Sequence, residues 1–274
     1  LFMAIITISR EVASLGDEVA AKVAKKLGYN FITRKDIEKS LVDHGFPENK
    51  LPKYDERKPG FFASLAKDRD EYLDLLHVAL LEAADKGNVV FIGRGAFALF
   101  ANVPNHIGIR LIADEKTRIK RLLEEKQWNE KQAKQRISES DANRIGFHKS
   151  FYNVDWADPC NYTAVLNTGI LSEEQVANAV VGMTREIINS DAESKGKDKI
   201  SQLLTAQKLV NSLIFNHKVK IEFLHAVIED KTVILQGVCD SIATVESTVN
   251  LASRELPEYK IQSAISVIHD FKAY

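Results

Sequence analysis

Cysteine and long apolar segments are scarce in this chain, and each scarcity excludes a class of protein. The only cysteines are Cys160 and Cys239. Two cysteines so far apart in sequence exclude a disulfide framework and a cysteine-based metal cluster, so we expect two reduced thiols. No apolar run reaches the roughly 20 residues that span a bilayer. The opening LFMAIITIS is too short for a secretory signal and lacks a basic start, so we expect a cytoplasmic protein.

An excess of charge of either sign is also lacking. The 37 basic and 38 acidic residues give a net charge of −1, which removes any bulk electrostatic case for nucleic acid or an anionic membrane as partner. None of the seven histidines has ligand spacing to another, so no protein-built metal site is predicted. The content of 45% hydrophobic and 27% charged residues is typical of a soluble globular protein.

Short apolar segments alternate with helical patterns through the first 190 residues. Four segments predict buried strands, namely MAIITIS, NVVFIGRG, HIGIRLIA and YTAVLNTG. The patterns between them predict helices, among them residues 61–86 and 129–140, and a loop over 44–60. Because strands separated by helices favour a parallel sheet, we predict an α/β domain over residues 1–190.

The last third of the chain has a different character. Residues 191–198 are small and charged, and they are predicted to form a linker. The patterns that follow predict helix, strand, strand, helix and strand, with a hairpin turn at Asp230 and Lys231. We therefore predict a second, small α+β domain over residues 199–274.

The stretch ISREVASLGDEVAAKVAKKLGY joins a predicted strand to a helix through a tight loop with one glycine. Phosphate-binding loops have this form, because backbone N–H groups and a helix N-terminus hold the phosphates. The lysine that usually follows the glycine is missing, and Arg10 is the nearby cation that can fork onto phosphate oxygens. The pattern leaves two interpretations open, a phosphate site or a plain strand–turn–helix.

Two further stretches carry candidate chemistry. In GRGAF, Arg94 follows a predicted buried strand, at the end where open α/β sheets place ligands, although an arginine in a sharp turn explains it equally well. Residues 136–159 mix basic and aromatic side chains, with Asp141 and Arg144 on one helical face. This stretch is either a solvated helix or a mobile basic lid suited to phosphoryl transfer. His148 is interpreted as a surface residue and Trp156 as a packing residue.

Taken in order, five stretches resemble the cytidylate kinase-like family of P-loop kinases: ISREVASLG, LGYNFITR, IGRGA, DANRIGFHKSFYNVDWADP and YTAVLNT. The similarity runs from about Ala4 to Ile188. The resemblance implies transfer of the ATP γ-phosphoryl group to CMP or dCMP, with Mg²⁺ carried by the ATP phosphates. It also implies a helical monophosphate-binding insert over residues 36–86 and a lid region over 129–159.

The resemblance further implies roles for individual residues. The ATP phosphates would be bound by Ser9, Arg10, Ser14 and Gly16, and the monophosphate by Arg34, Arg94 and Gly95. The catalytic residues would be Arg10, Asp141, Arg144 and Lys149.

Departures from the family pattern keep other functions open. Ala13 and Leu15 stand in the part of the loop that is glycine-rich in the family, Asp17 occupies a position that is often basic, and Thr163 replaces an aspartate. These departures fit a catalytically degenerate nucleotide sensor, or a scaffold whose kinase-like part forms a homodimer. The tail, with KTVILQGVCDS in its hairpin, resembles a BON domain, which implies a module that binds a small ligand, a lipid surface or a protein partner.

Overall fold

The protein contains a five-stranded parallel sheet in a computed structural model that describes residues 2–54 and 69–268. The strand order is β2-β3-β1-β4-β5. The strands are β1 (Ile5–Arg10), β2 (Asn30–Ile32), β3 (Val89–Ile92), β4 (His106–Ile112) and β5 (Ala164–Asn167). The predicted parallel α/β architecture is confirmed.

The helices of the described residues follow the same alternation. They are α1 (Gly16–Leu27), α2 (Arg34–Asp43), α3 (Arg69–Asp85), α4 (Ala96–Leu99), α5 (Glu115–Lys126), α6 (Glu130–Tyr152), α7 (Glu173–Ile187), α8 (Ser190–Asn211) and α9 (Ile242–Glu255). The main core of the sheet contains the apolar faces of α1 and α7, packed with the isoleucines and valines of β1, β3 and β4. No helix among the described residues is both long enough and apolar enough to cross a membrane.

Since the five strands are parallel, their carboxyl ends meet at one edge of the sheet. The loop after β1 lies beside the ends of β3 and β4, because β1 pairs with both strands. Arg34 begins the helix that follows β2, and Arg94 follows β3 by two residues. The topology thus brings the three predicted phosphate-binding segments of the sequence to the same edge.

Helix α6 is longer than predicted. The sequence predicted a helix ending at Ser140, whereas the helix continues without interruption to Tyr152. Buried residues recur every three or four positions along it, from Ala133 through Phe147 to Phe151, but the charged residues between them conceal this period. His148 lies on the buried face, where its Nδ1 is 2.7 Å from the Arg144 carbonyl oxygen, so its interpretation as a surface residue is wrong.

The chain divides into two compact units, and the division differs from the sequence-based picture. Within the described residues, the first unit takes in 2–54, 69 and 86–197, and the second takes in 70–85 and 198–268. Helix α3, predicted to belong to the monophosphate-binding insert, therefore groups with the C-terminal unit. Residues 55–68, which include parts of the predicted loop and of the predicted helix 61–86, lie outside the described residues.

The second unit has the predicted order of helix, two strands, helix and strand. Strands β6 (Glu222–Glu229) and β7 (Thr232–Cys239) pair antiparallel, and β8 (Lys260–Val267) pairs parallel with β7. The predicted linker 191–198 is instead part of the continuous helix α8. Its alanine, glutamate and lysine residues favour helix, and the Asn189 side chain accepts a hydrogen bond from the Ala192 amide at the helix start.

Candidate functional site

The loop after β1 has an unusual backbone for its sequence. Ala13 and Leu15 both have positive φ values, 60° and 59°, in the left-handed region that residues with a Cβ seldom occupy. Glycines occupy such positions at lower cost. The backbone at Ala13 and Leu15 therefore has the conformation expected of a glycine-rich loop, although neither residue is a glycine. At Gly16, which opens α1, a Cβ would lie 2.5 Å from Arg10 Cγ. The structure thus brings Arg10 and Gly16 together at the helix N-terminus.

The two serines predicted to contact ATP make hydrogen bonds within the protein. The buried Ser14 Oγ lies within donating distance of the Glu11 carbonyl oxygen at 2.9 Å and the Leu111 carbonyl oxygen at 3.2 Å. These contacts fasten the loop to β4. The buried Ser9 Oγ accepts a hydrogen bond from Trp156 Nε1 at 2.7 Å. The Tyr162 hydroxyl lies 3.4 Å from Ser9 Oγ and donates to the Trp156 carbonyl oxygen at 2.9 Å, and burial raises the pKa of this hydroxyl.

The first residue of this loop, Glu11, makes contacts that the sequence reasoning missed. Glu11 Oε2 accepts hydrogen bonds from the Ala113 amide at 3.2 Å and from Arg118 Nη1 at 3.3 Å, and Glu11 Oε1 lies 3.5 Å from Arg110 Nη2. The Arg110 guanidinium also stacks on the Trp156 ring, 3.9 Å from its centroid, which confirms Trp156 as a packing residue. An arginine inside the apolar strand segment HIGIRLIA was the signal that could have revealed this cluster.

Two arginines on α5 hold the backbone of the loop. Arg118 Nε donates to the Val12 carbonyl oxygen at 2.9 Å, and Arg121 Nη1 donates to that of Ala13 at 3.0 Å. Arg121 Nη2 also donates to the Thr168 carbonyl oxygen, just beyond β5, at 2.6 Å. Consecutive loop carbonyls are thus bound by side chains one helical turn apart.

The two arginines predicted to face the monophosphate meet at one carboxylate. Arg34 Nε lies 2.5 Å and Arg94 Nη2 lies 2.8 Å from Glu38 Oε1. Arg94 Nη1 also donates to the Tyr54 carbonyl oxygen at 2.6 Å. Arg94 is almost fully buried, whereas 30% of the Arg34 side chain is exposed. Two guanidinium groups thus share one carboxylate oxygen at this end of the sheet.

Gly95, also predicted at this site, allows α6 to approach Arg94 closely. A Cβ at position 95 would lie 2.0 Å from the Tyr152 ring. With no Cβ there, the Tyr152 hydroxyl reaches the Arg94 carbonyl oxygen and donates to it at 3.2 Å. The glycine therefore determines the packing of α6 against the turn.

Three predicted catalytic residues lie on α6, but they do not share one environment. Asp141 Oδ2 accepts a hydrogen bond from Arg118 Nη2 at 2.6 Å, and Asp141 Oδ1 lies 3.8 Å from Arg144 Nη1. Arg144 is buried and its guanidinium also contacts the Ser140 hydroxyl. Lys149 lies on the exposed side of the helix. The structure thus connects Asp141 and Arg144 to the loop region and leaves Lys149 apart from them.

Thr163, one of the departures from the family pattern, lies at the opposite edge of the sheet. It immediately precedes β5, and its hydroxyl accepts a hydrogen bond from the Gly108 amide, near the start of β4, at 3.1 Å. That departure is consequently remote from the carboxyl edge. Within residues 2–54 and 69–268, no three His, Cys, Asp or Glu side chains are grouped so that they could hold a metal ion.

Comparisons with known proteins agree with this architecture. Residues 5–170 match the model of the Cytidylate kinase-like family, whereas no curated protein matches the chain. An uncharacterized protein from Eubacterium ventriosum has a similar solved structure, with 21% identity and a TM-score of 0.53 over 66% of this chain and 98% of that one. This likeness is one of fold.

Two kinases are also among the similar structures. A shikimate kinase from Bacteroides thetaiotaomicron has 17% identity and a TM-score of 0.41, over 67% of this chain and 97% of that one. A gluconokinase from Sinorhizobium meliloti has 17% identity and a TM-score of 0.42, over 68% of this chain and 94% of that one.

Proposed function

The chain belongs to the cytidylate kinase-like family over residues 5–170, and from that premise we propose that it transfers the γ-phosphoryl group of ATP to CMP or dCMP. The observation that carries the proposal is the convergence of Arg34 and Arg94 on the Glu38 carboxylate. Guanidinium groups bind carboxylates and phosphates through the same planar donor geometry. The phosphate of the acceptor would therefore displace Glu38 from the two arginines.

The donor nucleotide would bind at the neighbouring loop. The first amides of α1 have no acceptor within the helix, and the helix N-terminus favours an anion. Arg10 lies over Gly16 at this same N-terminus and would supply the cation that a lysine supplies in other phosphate loops. Because β1 pairs directly with β3, this loop lies next to the turn that carries Arg94. Donor and acceptor phosphates would thus be adjacent.

Phosphoryl transfer depends mainly on positioning and on charge stabilisation, with little covalent work for the protein. Mg²⁺ bound to the ATP phosphates would neutralise part of their charge. In this proposal Arg10 and Arg144 stabilise the charge on the transferring group. Asp141 would orient Arg144, since its carboxylate lies between the guanidinium groups of Arg118 and Arg144.

The test is direct assay of ADP formation. The purified protein is mixed with ATP, Mg²⁺ and each nucleoside monophosphate in turn, with a no-acceptor blank. We expect ADP above the blank with CMP or dCMP, and little with purine acceptors. The Lys120→Gln variant, altered at a side chain that is 76% exposed, serves as the matched control and keeps the activity. A folded protein that forms no ADP with any acceptor contradicts the proposal.

A second candidate, nucleotide sensing without transfer, is favoured by the hydrogen bonds of Ser9 and Ser14 within the protein. In that case the α+β unit, through its resemblance to a BON domain, would signal through a small ligand, a lipid surface or a protein partner. In a scaffold, the remaining alternative, the kinase-like unit would form a homodimer and the α+β unit would recruit a partner. Calorimetry separates the two candidates. Nucleotide binding without turnover supports sensing, and measurable turnover removes it.

A further inference from the structure

Arg118 makes hydrogen bonds in three directions from a nearly buried position. Only 7% of its side chain is exposed. Its Nε donates to the Val12 carbonyl oxygen at 2.9 Å, its Nη1 to Glu11 Oε2 at 3.3 Å, and its Nη2 to Asp141 Oδ2 at 2.6 Å. The first two partners belong to the loop after β1, and the third belongs to α6. One rigid guanidinium thus bonds to both segments.

Arg121 provides an internal comparison on the same helix. It also binds the loop, through the Ala13 carbonyl oxygen at 3.0 Å, but its other partner is Thr168 beyond β5, through the carbonyl oxygen at 2.6 Å. Both arginines therefore bind the loop backbone. Arg118 connects the loop to α6, whereas Arg121 connects it to the residue after β5. This difference makes it possible to separate loop support from a connection to α6.

The connection to α6 continues from Asp141 to Arg144. Asp141 Oδ1 lies 3.8 Å from Arg144 Nη1, and both side chains are on the same helical face, three residues apart. A partly buried carboxylate requires a compensating charge, and Arg118 supplies the shorter of its two ion pairs, at 2.6 Å. Displacement of the Arg118 guanidinium would therefore change the position of Asp141 and, through it, that of Arg144.

We propose that Arg118 is a positioning residue that couples the loop after β1 to helix α6. The planar fork of arginine holds its partners in a fixed relative arrangement, which a lysine ammonium cannot reproduce. When bound phosphates fix the conformation of the loop, the Arg118 side chain fixes the positions of Asp141 and Arg144. The consequence for catalysis rests on the proposed function, whereas the mechanical coupling does not.

The coupling is tested first without nucleotide, by amide hydrogen exchange. Arg118→Gln should speed exchange both in residues 11–16 and in α6 around Asp141. Arg121→Gln should speed exchange in the loop alone, and Lys120→Gln in neither. Should Arg118→Gln fold poorly, Arg118→Lys keeps the charge and loses the fork, and it should give the same two-segment pattern. Unchanged exchange in α6, or an equal effect of Arg121→Gln on α6, overturns the proposal.

Turnover provides the second readout. Arg118→Lys should lower kcat by about a hundredfold, the scale of an ångström-sized misplacement, and leave KM for ATP within about threefold. Equal losses in kcat and in ATP affinity would indicate simple loop damage and overturn the positioning role. A wild-type protein without any kinase activity would remove the proposed function instead, while the exchange experiment would still decide the coupling.

Discussion

The carboxyl edge of the sheet contains two clusters of nearly identical composition, each with one glutamate and two arginines. Glu38 binds Arg34 and Arg94 near the ends of β2 and β3, and Glu11 binds Arg110 and Arg118 beside β1 and β4. The two glutamates are also similarly exposed, at 20% and 18%. Composition and burial of the carboxylate therefore do not distinguish the clusters.

The difference lies in what else the arginines bind. In the Glu11 cluster both arginines are almost fully buried, and they also contact the Val12 carbonyl, the Trp156 ring and Asp141. In the Glu38 cluster Arg94 is equally buried and donates to the Tyr54 carbonyl oxygen, whereas 30% of the Arg34 side chain is exposed. In the proposed function the acceptor phosphate replaces Glu38 from the exposed side of Arg34, whereas replacement of Glu11 would remove contacts that hold the loop. We therefore propose that the Glu11 cluster supports the loop and that the Glu38 cluster binds the acceptor phosphate.

The largest expected effect comes from Arg94→Met, which removes the buried member of the Glu38 cluster. We expect kcat/KM for CMP to fall by at least about a hundredfold, the scale of losing one preorganised donor in an active site. Circular dichroism checks that the variant folds. Retained turnover in a folded Arg94→Met protein would show that the Glu38 cluster does not bind the acceptor.

The next effect concerns Arg10, which lies at the end of β1 between the two clusters. If Arg10 replaces the missing lysine, Arg10→Ala should weaken ATP binding by about 1.5–3 kcal/mol, the scale of a hydrogen bond to a charged group. Isothermal titration calorimetry measures the change, with Lys120→Gln as the control. Unchanged affinity in a folded variant would exclude Arg10 as the phosphate cation.

A smaller effect is expected when each of the two glutamates is replaced by glutamine. Glu38→Gln should lower KM for CMP by about fivefold, corresponding to roughly 1 kcal/mol, because the substrate phosphate no longer competes with a carboxylate. Glu11→Gln should leave that KM unchanged and lower Tm by about 2–4 °C per kcal/mol lost, since Arg110 and Arg118 lose a charged partner. If both glutamine variants change KM alike, the distinction between the clusters is wrong.

The sequence predicted the α/β fold and a shared site for Arg34 and Arg94, but it did not predict the Glu11 cluster. Apolar segments separated by helical patterns identified the sheet, and the family resemblance assigned Arg34 and Arg94 to one monophosphate site. The Glu11 cluster was missed because its hydrogen bonds join residues about a hundred positions apart, such as Arg118 and Val12, and no local pattern records such a contact. The buried face of α6 was missed because charged residues interrupt its period.

Two further differences between expectation and structure have separate causes. Residues 191–198 have the small, charged composition of a linker, but alanine, glutamate and lysine also favour helix, and the Asn189 cap decides the outcome. The family resemblance placed helix α3 in the monophosphate-binding insert. Its contacts instead lie with α8, where Gln207 Nε2 donates to Asp74 Oδ1 at 3.1 Å and Lys208 pairs with Glu82 at 2.8 Å. Amphipathic periodicity shows that a face is buried but not which partner covers it.

Asp74 extends the comparison to a carboxylate whose hydrogen-bond partner is an amide. Burial raises the pKa of Asp74 to about 7, although the Gln207 hydrogen bond opposes the shift. Burial also lowers the pKa of His77, one turn further along α3, to about 4. The folded protein thus holds a proton on Asp74 that the unfolded chain releases above about pH 4, and it lacks a proton on His77 that the unfolded chain binds below about pH 6.5.

These two shifts have opposite consequences for stability, and Asp74→Asn should separate them. The free energy of unfolding falls as pH rises from about 4 to 7 because of Asp74, and it rises from about 4 to 6.5 because of His77. Asp74→Asn should therefore stabilise the protein at pH 8 by about 2 kcal/mol, allowing for the part of the carboxyl that solvent reaches. The gain should shrink towards pH 4, as calorimetry at several pH values would measure. A gain that is equal at pH 5 and pH 8 would show that burial does not raise the pKa of Asp74.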